Sequence, residues 1–158
     1  MVPAIDELKT ILEGLLPGVH LAVEAPALIV DPKDFAAACR CLKDSERFGL
    51  DYVANLTAID YPTEQRIDVV YHLYSMHHKH GPVVLKVKLP RANPIVDSVT
   101  PIWRGAEYQE REVYDLYGVT FTGHPDLRRI LMWDGFKGHP MRKDYVVEDQ
   151  DVLEERPR

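Results

Sequence analysis

RIDVVYHLYSMHHKHGPVVLKVKL, residues 66–89, is the stretch on which the fold turns. Ile67, Val69, Tyr71, Leu73 and Ser75 fall on one side of a period-two pattern, and Asp68, Val70, His72, Tyr74 and Met76 on the other. After the polar break His77–Pro82, the alternation resumes. Val83, Leu85, Val87 and Leu89 point one way, Lys86 and Lys88 the other. Two alternating runs around a short break with Gly-Pro predict an antiparallel hairpin with one face covered and one face wet.

Toward the N-terminus, Tyr52–Asp60 mixes apolar residues on both faces, as a largely covered strand does, and Pro62-Thr63-Glu64-Gln65 turns it into the hairpin. Phe35, Ala38, Cys39 and Leu42 form the stripe of a helix that Asp31-Pro32 caps and Phe48-Gly49 closes. His20–Glu24 and Leu28–Val30 read as short strands around Ala25-Pro26-Ala27. Ile5, Leu8, Ile11, Leu12 and Leu15 repeat at helical spacing until Pro17-Gly18. The order helix–strand–strand–helix–strand–strand–strand–helix predicts an α+β fold: a two-layer domain with helices on one face of a mixed β-sheet, over residues 1–117.

Toward the C-terminus, Pro90–Ser98 reads as a connection pinned by Ile95-Val96. Thr100 is placed to cap a helix, with Pro101 at its first position and Gly118 at its left-handed end. Ile102, Trp103, Ala106, Val113, Tyr114, Leu116 and Tyr117 share one arc of that helix, and Glu110 lies inside it. A carboxylate on an apolar face must be paired or aimed at donors, because burying it alone costs several kcal/mol, on the order of a side chain's burial. Arg128, Arg129 or backbone N–H groups of the tail are its expected partners. Glu107 and Arg111 form an (i, i+4) pair. Asp115, in the unfavourable last turn, calls for a cation among Arg128, Arg129, Arg142 and Lys143. Residues 118–158 have little apolar periodicity and read as an extended C-terminal arm, with one helical turn near Asp126–Leu131, that depends on a partner's surface for order.

The chain is 158 residues long, enough for one domain, and its net charge of −6 argues against nucleic-acid binding. No run approaches the ~20 apolar residues of a membrane span, and MVPAIDELK is unlike a signal peptide, so the expected location is cytoplasmic. Cys39 and Cys41 diverge by about 200° on a helix and cannot share an ion, and no other thiol is present to complete an iron–sulfur site. Nucleophile-elbow, phosphate-loop and dinucleotide motifs are absent from the sequence. His77, His78 and His80 are the one candidate metal cluster, but no carboxylate lies close in sequence to complete it, and a solvated turn is favoured. In the tripeptides Gly123-His124-Pro125 and Gly138-His139-Pro140, Gly permits an unusual backbone angle, Pro fixes the next, and the imidazole between is held for a hydrogen bond.

EREVYDLYGVTFTGHPDLRRILM (residues 110–132) and GFKGHPMRKDY (residues 135–145) closely resemble the two signature blocks of the 30-kilodalton (C-type) subunit of respiratory complex I, the proton-translocating NADH:quinone oxidoreductase. Met141 replaces a leucine of that pattern, and Tyr117 stands where Phe is common. The resemblance implies a non-cofactor-bearing peripheral-arm protein that lies against the D and B subunits near the quinone site, with the I subunit and other hydrophilic-arm subunits in the same hetero-oligomer. It implies FMN, iron–sulfur clusters, NADH and quinone on those other subunits, and a peripheral position on the cytoplasmic side of the cell membrane. The expected subunit interface comprises Glu110, Arg111, Glu112, Asp115, His124, Pro125, Arg128, Arg129, His139, Pro140, Arg142, Lys143 and Asp144, with no catalytic, cofactor or metal residue. The same type of subunit occurs in membrane-bound hydrogenases and ferredoxin-dependent complexes. Competing classes are a stand-alone metal-dependent hydrolase built on His77, His78 and His80, and a small regulatory binding module.

Overall fold

The structure is a computed structural model and describes residues 4–147. Its centre is the antiparallel hairpin of β4 (Arg66–Ser75) and β5 (His80–Pro90), with Val69 opposite Val87 and Tyr71 opposite Leu85. β3 (Tyr52–Tyr61) pairs antiparallel with β4. On the other side β2 (Ala27–Val30) runs parallel to β5, and β1 (Leu21–Glu24) closes the edge antiparallel to β2. The order β1-β2-β5-β4-β3 is a mixed sheet of five strands. Its one parallel pair is reached by a crossover that carries a helix.

That crossover helix, α2 (Phe35–Asp44), and the first helix, α1 (Ile5–Leu15), cover one face. Leu8 and Leu12 from α1, with Phe35, Ala38, Cys39 and Leu42 from α2, close over Ile67, Val69, Tyr71 and Leu73 of β4 and Val83, Leu85, Val87 and Leu89 of β5. The rings of Phe35 and Tyr71 lie 4.6 Å apart. The opposite face is polar. Asp68 is nonetheless buried there, because Arg66 Nε reaches it at 2.9 Å and Lys86 Nζ stands at 3.8 Å, their stems lying over the sheet.

Four details differ from the sequence reading. Asp31 caps a short 3-10 turn, Pro32–Asp34, by accepting the Lys33 N–H at 3.1 Å; α2 starts after it and ends at Asp44, well before Phe48-Gly49. The connection after β5 contains β6 (Ile95–Asp97), which pairs in parallel with β7 (Thr120–Thr122) and buries Val96 against Phe121. Three-residue strands are too short to show a period. Thr100 does not cap a helix: α3 runs Glu107–Tyr117 behind a 3-10 turn at Arg104–Ala106. Tertiary bonds hold residues 98–103 outside the helix. Thr100 Oγ1 donates to Glu110 at 3.0 Å, Lys43 Nζ to Ile102 O at 2.5 Å, and the Trp103 indole N–H to Leu50 O at 2.8 Å. Finally, no helical turn forms at residues 126–131, where the amides of Asp126, Ile130 and Leu131 bond to His124 and Asp115.

Gly118 ends α3 as expected, at φ +75°, its N–H on Tyr114 O at 2.9 Å. Gln109 Oε1 ties the helix to β3 by accepting the Leu56 N–H at 2.6 Å. Past Thr122 the described chain has neither helix nor strand, and it runs along α3 in bends and turns.

Candidate docking site

Three side chains of α3 decide where the arm goes. Glu110 is fully buried beside Ala106 and Val113. Its expected partners, Arg128, Arg129 or the tail backbone, are not the ones it has. Oε2 accepts Ser98 Oγ at 2.5 Å and Thr100 Oγ1 at 3.0 Å, and Oε1 accepts the Val99 N–H at 2.7 Å. The connection before the helix is nearer than the arm behind it, so Glu110 fixes the entry to α3. Burial pushes its carboxyl above the usual range, while Ser98, Val99, Thr100 and the nearby His124 oppose that rise.

Arg111 and Asp115 hold the arm itself. Arg111 donates from Nε to Arg128 O and from Nη2 to Arg129 O, both at 3.2 Å. Asp115 Oδ2 accepts three successive backbone amides, those of Ile130, Leu131 and Met132, at 3.0, 2.7 and 2.8 Å. Its Oδ1 takes Arg129 Nη1 at 2.7 Å, which supplies the cation expected for it. Burial works against the Asp115 charge, but these amides and Arg129 outweigh it and hold the carboxyl below the usual range. Three amides wrapped around one oxygen are an anion nest.

The two Gly-His-Pro histidines pin the arm at either end of α3. His124 Nε2 lies 3.0 Å from Glu107 O, and its Nδ1 accepts the Asp126 N–H at 3.0 Å. A carbonyl can only accept, so this bonding uses the Nε2–H tautomer. His139 takes the opposite tautomer, with Nδ1 donating to Asp115 O at 3.0 Å. Its other ring edge fills the space beside Gly118, where a Cβ would stand 2.5 Å from Nε2. Burial lowers the His139 pKa, assisted by Arg142 and Arg129.

Farther along, Arg91 bridges Asp60 on β3 and Asp144 in the arm, and the Lys143 N–H adds a bond to Asp60 Oδ2 at 2.8 Å. Arg142 Nε donates to Tyr117 O at 2.6 Å. The arm's composition predicts dependence on a partner; within the chain, these bonds tie parts of residues 124–144 to its own domain.

The residues expected at an interface therefore divide. Glu110, Arg111 and Asp115 are buried, the His124 side chain is fully covered, and Arg129, His139, Pro140 and Arg142 are half-buried. Most of this group builds the junction. Glu112, Pro125, Arg128, Lys143 and Asp144 are exposed, with Arg128 paired to Asp126 at 2.8 Å. Apolar residues that charge-based reasoning passed over share that exposure: Tyr108 is 62% exposed, Leu131 56%, Trp133 52% and Met141 51%. The signal was present in Ile130–Trp133, an apolar run without helical or strand company. Trp133 meets Phe136 edge-on at 4.9 Å, and Phe136 stacks on Tyr145 at 6.0 Å. Exposed aromatics with aliphatics and a cationic rim make up the composition of an interface core.

His77, His78 and His80 lie at the β4–β5 turn, with the rings of His78 and His80 stacked at 6.0 Å and no acidic ligand completing a set. Among the described residues no group of three or more His, Cys, Asp or Glu side chains could hold a metal ion, and no helix is long and apolar enough to cross a membrane. Cys39 and Cys41 are free thiols.

A family model described as respiratory-chain NADH dehydrogenase, 30 Kd subunit, matches residues 28–151. Over 141 residues the chain is 44% identical to the C subunit of NADH-quinone oxidoreductase from Moorella thermoacetica, covering 88% of this chain and 93% of that one. Among solved structures, the trypsin-resistant fragment of Nqo5 is similar at TM-score 0.55 and 28% identity, over 75% of this chain and 97% of the fragment. A chain of the membrane-bound sulfane sulfur reductase, an archaeal respiratory membrane complex, shares the fold at TM-score 0.73 and 22% identity, over 97% and 95% of the two chains.

Proposed function

This chain belongs to the family of the respiratory-chain NADH dehydrogenase 30 kDa subunit, the C-type subunit of complex I, and on that premise we propose that it braces the peripheral arm of a proton-translocating NADH:quinone oxidoreductase against the D and B subunits near the quinone site. As a family member it is part of a hetero-oligomeric, complex-I-like oxidoreductase, and no catalytic site is evident among its described residues. The chemistry belongs to the neighbours, which carry FMN, the iron–sulfur clusters, NADH and quinone. This chain's share is mechanical.

The observation that carries the reading is the grip of Arg111 and Asp115 on residues 128–132. Apart from the Arg129 guanidinium on Asp115 it is made to backbone atoms, and the side chains of Leu131 and Trp133 stand exposed beside it. Preordering a segment before it binds lowers the ordering cost that would otherwise reduce affinity. The domain up to Tyr117 supplies the rigid base, and the arm from Gly118 supplies the contact.

Purification of the tagged chain from native membranes tests the proposal. The D and B subunits should come with it, together with NADH:quinone reductase activity, and the chain released from them should carry no flavin and no iron with acid-labile sulfide. Recovery of the chain with no other polypeptide overturns the reading. Reduction of quinone by ferredoxin in place of NADH would assign the same scaffold to a ferredoxin-dependent complex.

A further inference from the structure

The last part of the arm borders an open cleft of about 520 Å³ with Lys137, His139, Arg142 and Tyr145 in its wall. Among the described residues, the two acids that act on Arg142, Asp60 and Asp144, are already engaged. Arg91 donates to both oxygens of Asp60, at 2.7 and 3.0 Å, and to both oxygens of Asp144, at 3.0 and 2.5 Å. Asp60 also receives the Lys143 N–H. Arg142 spends Nε on Tyr117 O, and among the described residues no carboxylate stands within ion-pair distance of its guanidinium. Burial works against its charge, as does Arg91, and the more distant Asp60 and Asp144 offset this only in part. A half-buried guanidinium whose terminal nitrogens have no carboxylate is a binding site for one.

The remaining walls narrow the ligand. Tyr145 and Val146 give the cleft an apolar side against which a methylene stem can lie. Tyr145 is stacked on Phe136, which meets the exposed Trp133, so the cleft continues the apolar face of the arm. We infer that the cleft takes an Asp or Glu side chain of a neighbouring polypeptide, clasped by Arg142. The inference rests on the docking reading and gives it a charge-specific contact. The acidic run EDQDVLEE at residues 148–155 offers the same chemistry from within the chain, and the test separates the two sources.

The test uses the natively purified complex. Zero-length carbodiimide coupling should join the Lys137 ammonium to an Asp or Glu of another polypeptide, located by mass spectrometry of the linked peptides. Arg142→Glu should then release the chain at a salt concentration the unaltered complex survives, and changing the identified carboxylate to Lys should restore retention. Links from Lys137 confined to its own chain, or no link, overturn the inference, as does a reversed pair that restores nothing. A chain that copurifies with no other polypeptide fails at the earlier step and overturns the docking proposal instead.

Discussion

Arg111 and Asp115, one turn apart on α3, grip the same stretch of arm with opposite polarity: the guanidinium takes its carbonyls at 128 and 129, and the carboxylate its amides at 130–132. Spacing of four residues puts both on one helix face. Apart from the Arg129 guanidinium on Asp115 Oδ1, this grip is on backbone atoms, so the arm's path is fixed while its outward side chains can suit a partner.

Asp115→Asn removes the charge that draws three amides and Arg129 together. A hydrogen bond to a charged group contributes about 1.5–3 kcal/mol, so the nest should open while the sheet stays intact. The expected result is faster hydrogen exchange at Ile130, Leu131 and Met132 with unchanged protection in β3–β5. The carboxyl is held below the usual Asp range, so its contribution is complete above the ordinary value of ~3.9 and is lost as pH falls through the lower folded value. Unchanged exchange at the three amides in the variant would show that the nest does not hold the arm.

Gly118→Ala tests the His139 pin. The residue sits at φ +75°, where a side chain costs about 1–2 kcal/mol, and its new Cβ would meet His139 Nε2. The variant should melt several degrees lower, at about 2–4 °C per kcal/mol for a chain of this size. The ring should also leave Asp115 O. Since burial lowers the His139 pKa, the neutral ring's contribution to stability is complete above the ordinary His value of ~6.5 and is lost as pH falls through the lower folded value. A wild-type His139 titration in the variant would show that the ring does not depend on Gly118.

How much of this was legible follows from range. The β4–β5 hairpin was readable because period-two alternation runs long on both strands, and its inward set, Ile67, Val69, Tyr71 and Leu73, is fully buried. β6 and β7 were not, since three residues carry no period and their pairing joins positions 95–97 to 120–122. Thr100 shows a local signal overridden: a good cap by composition, its hydroxyl is claimed by Glu110 ten positions on. Glu110 itself was legible as an anomaly, but its partners were not, because donors lay on both sides in sequence and only the fold chose Ser98, Val99 and Thr100. The outward turn of Leu131 and Trp133 follows from Asp115 holding the backbone at residues 130–132, which no side-chain pattern records.

Glu110→Ala leaves the Val99 N–H and the hydroxyls of Ser98 and Thr100 without their acceptor in a buried site, at about 1–3 kcal/mol for such a loss. Glu110→Gln keeps the shape and an oxygen for Val99, so it should cost less. The folded carboxyl titrates above its ordinary value, so its contribution is full in acid, below ~4.3, and is lost as pH rises through the raised value. Glu110→Gln should flatten that decline in denaturant-melt stability. Assembly should fall with Glu110→Ala while quinone reduction per assembled complex stays unchanged. Normal assembly with lost turnover would put Glu110 in a proton or quinone path and defeat the scaffold reading.

Leu131 and Trp133 provide the sharpest separation between holding the fold and meeting a partner. Each is more than half exposed, and Asp115 ties the backbone of Leu131 and of Met132, next to Trp133, rather than either side chain. Substitution at such a surface position changes stability by about 0.5 kcal/mol or less. Truncating a central apolar or aromatic contact in an interface costs about 2 kcal/mol or more, over tenfold in affinity. The double variant Leu131→Ser, Trp133→Ser should therefore keep the melting temperature and sheet exchange of the isolated chain, yet yield much less complex on native gels. Arg128→Gln, whose side chain is exposed and already paired with Asp126, should change the yield far less. If the Arg128 variant abolishes assembly and the double variant assembles normally, the arm is read through its charges, and the apolar face is not the docking surface.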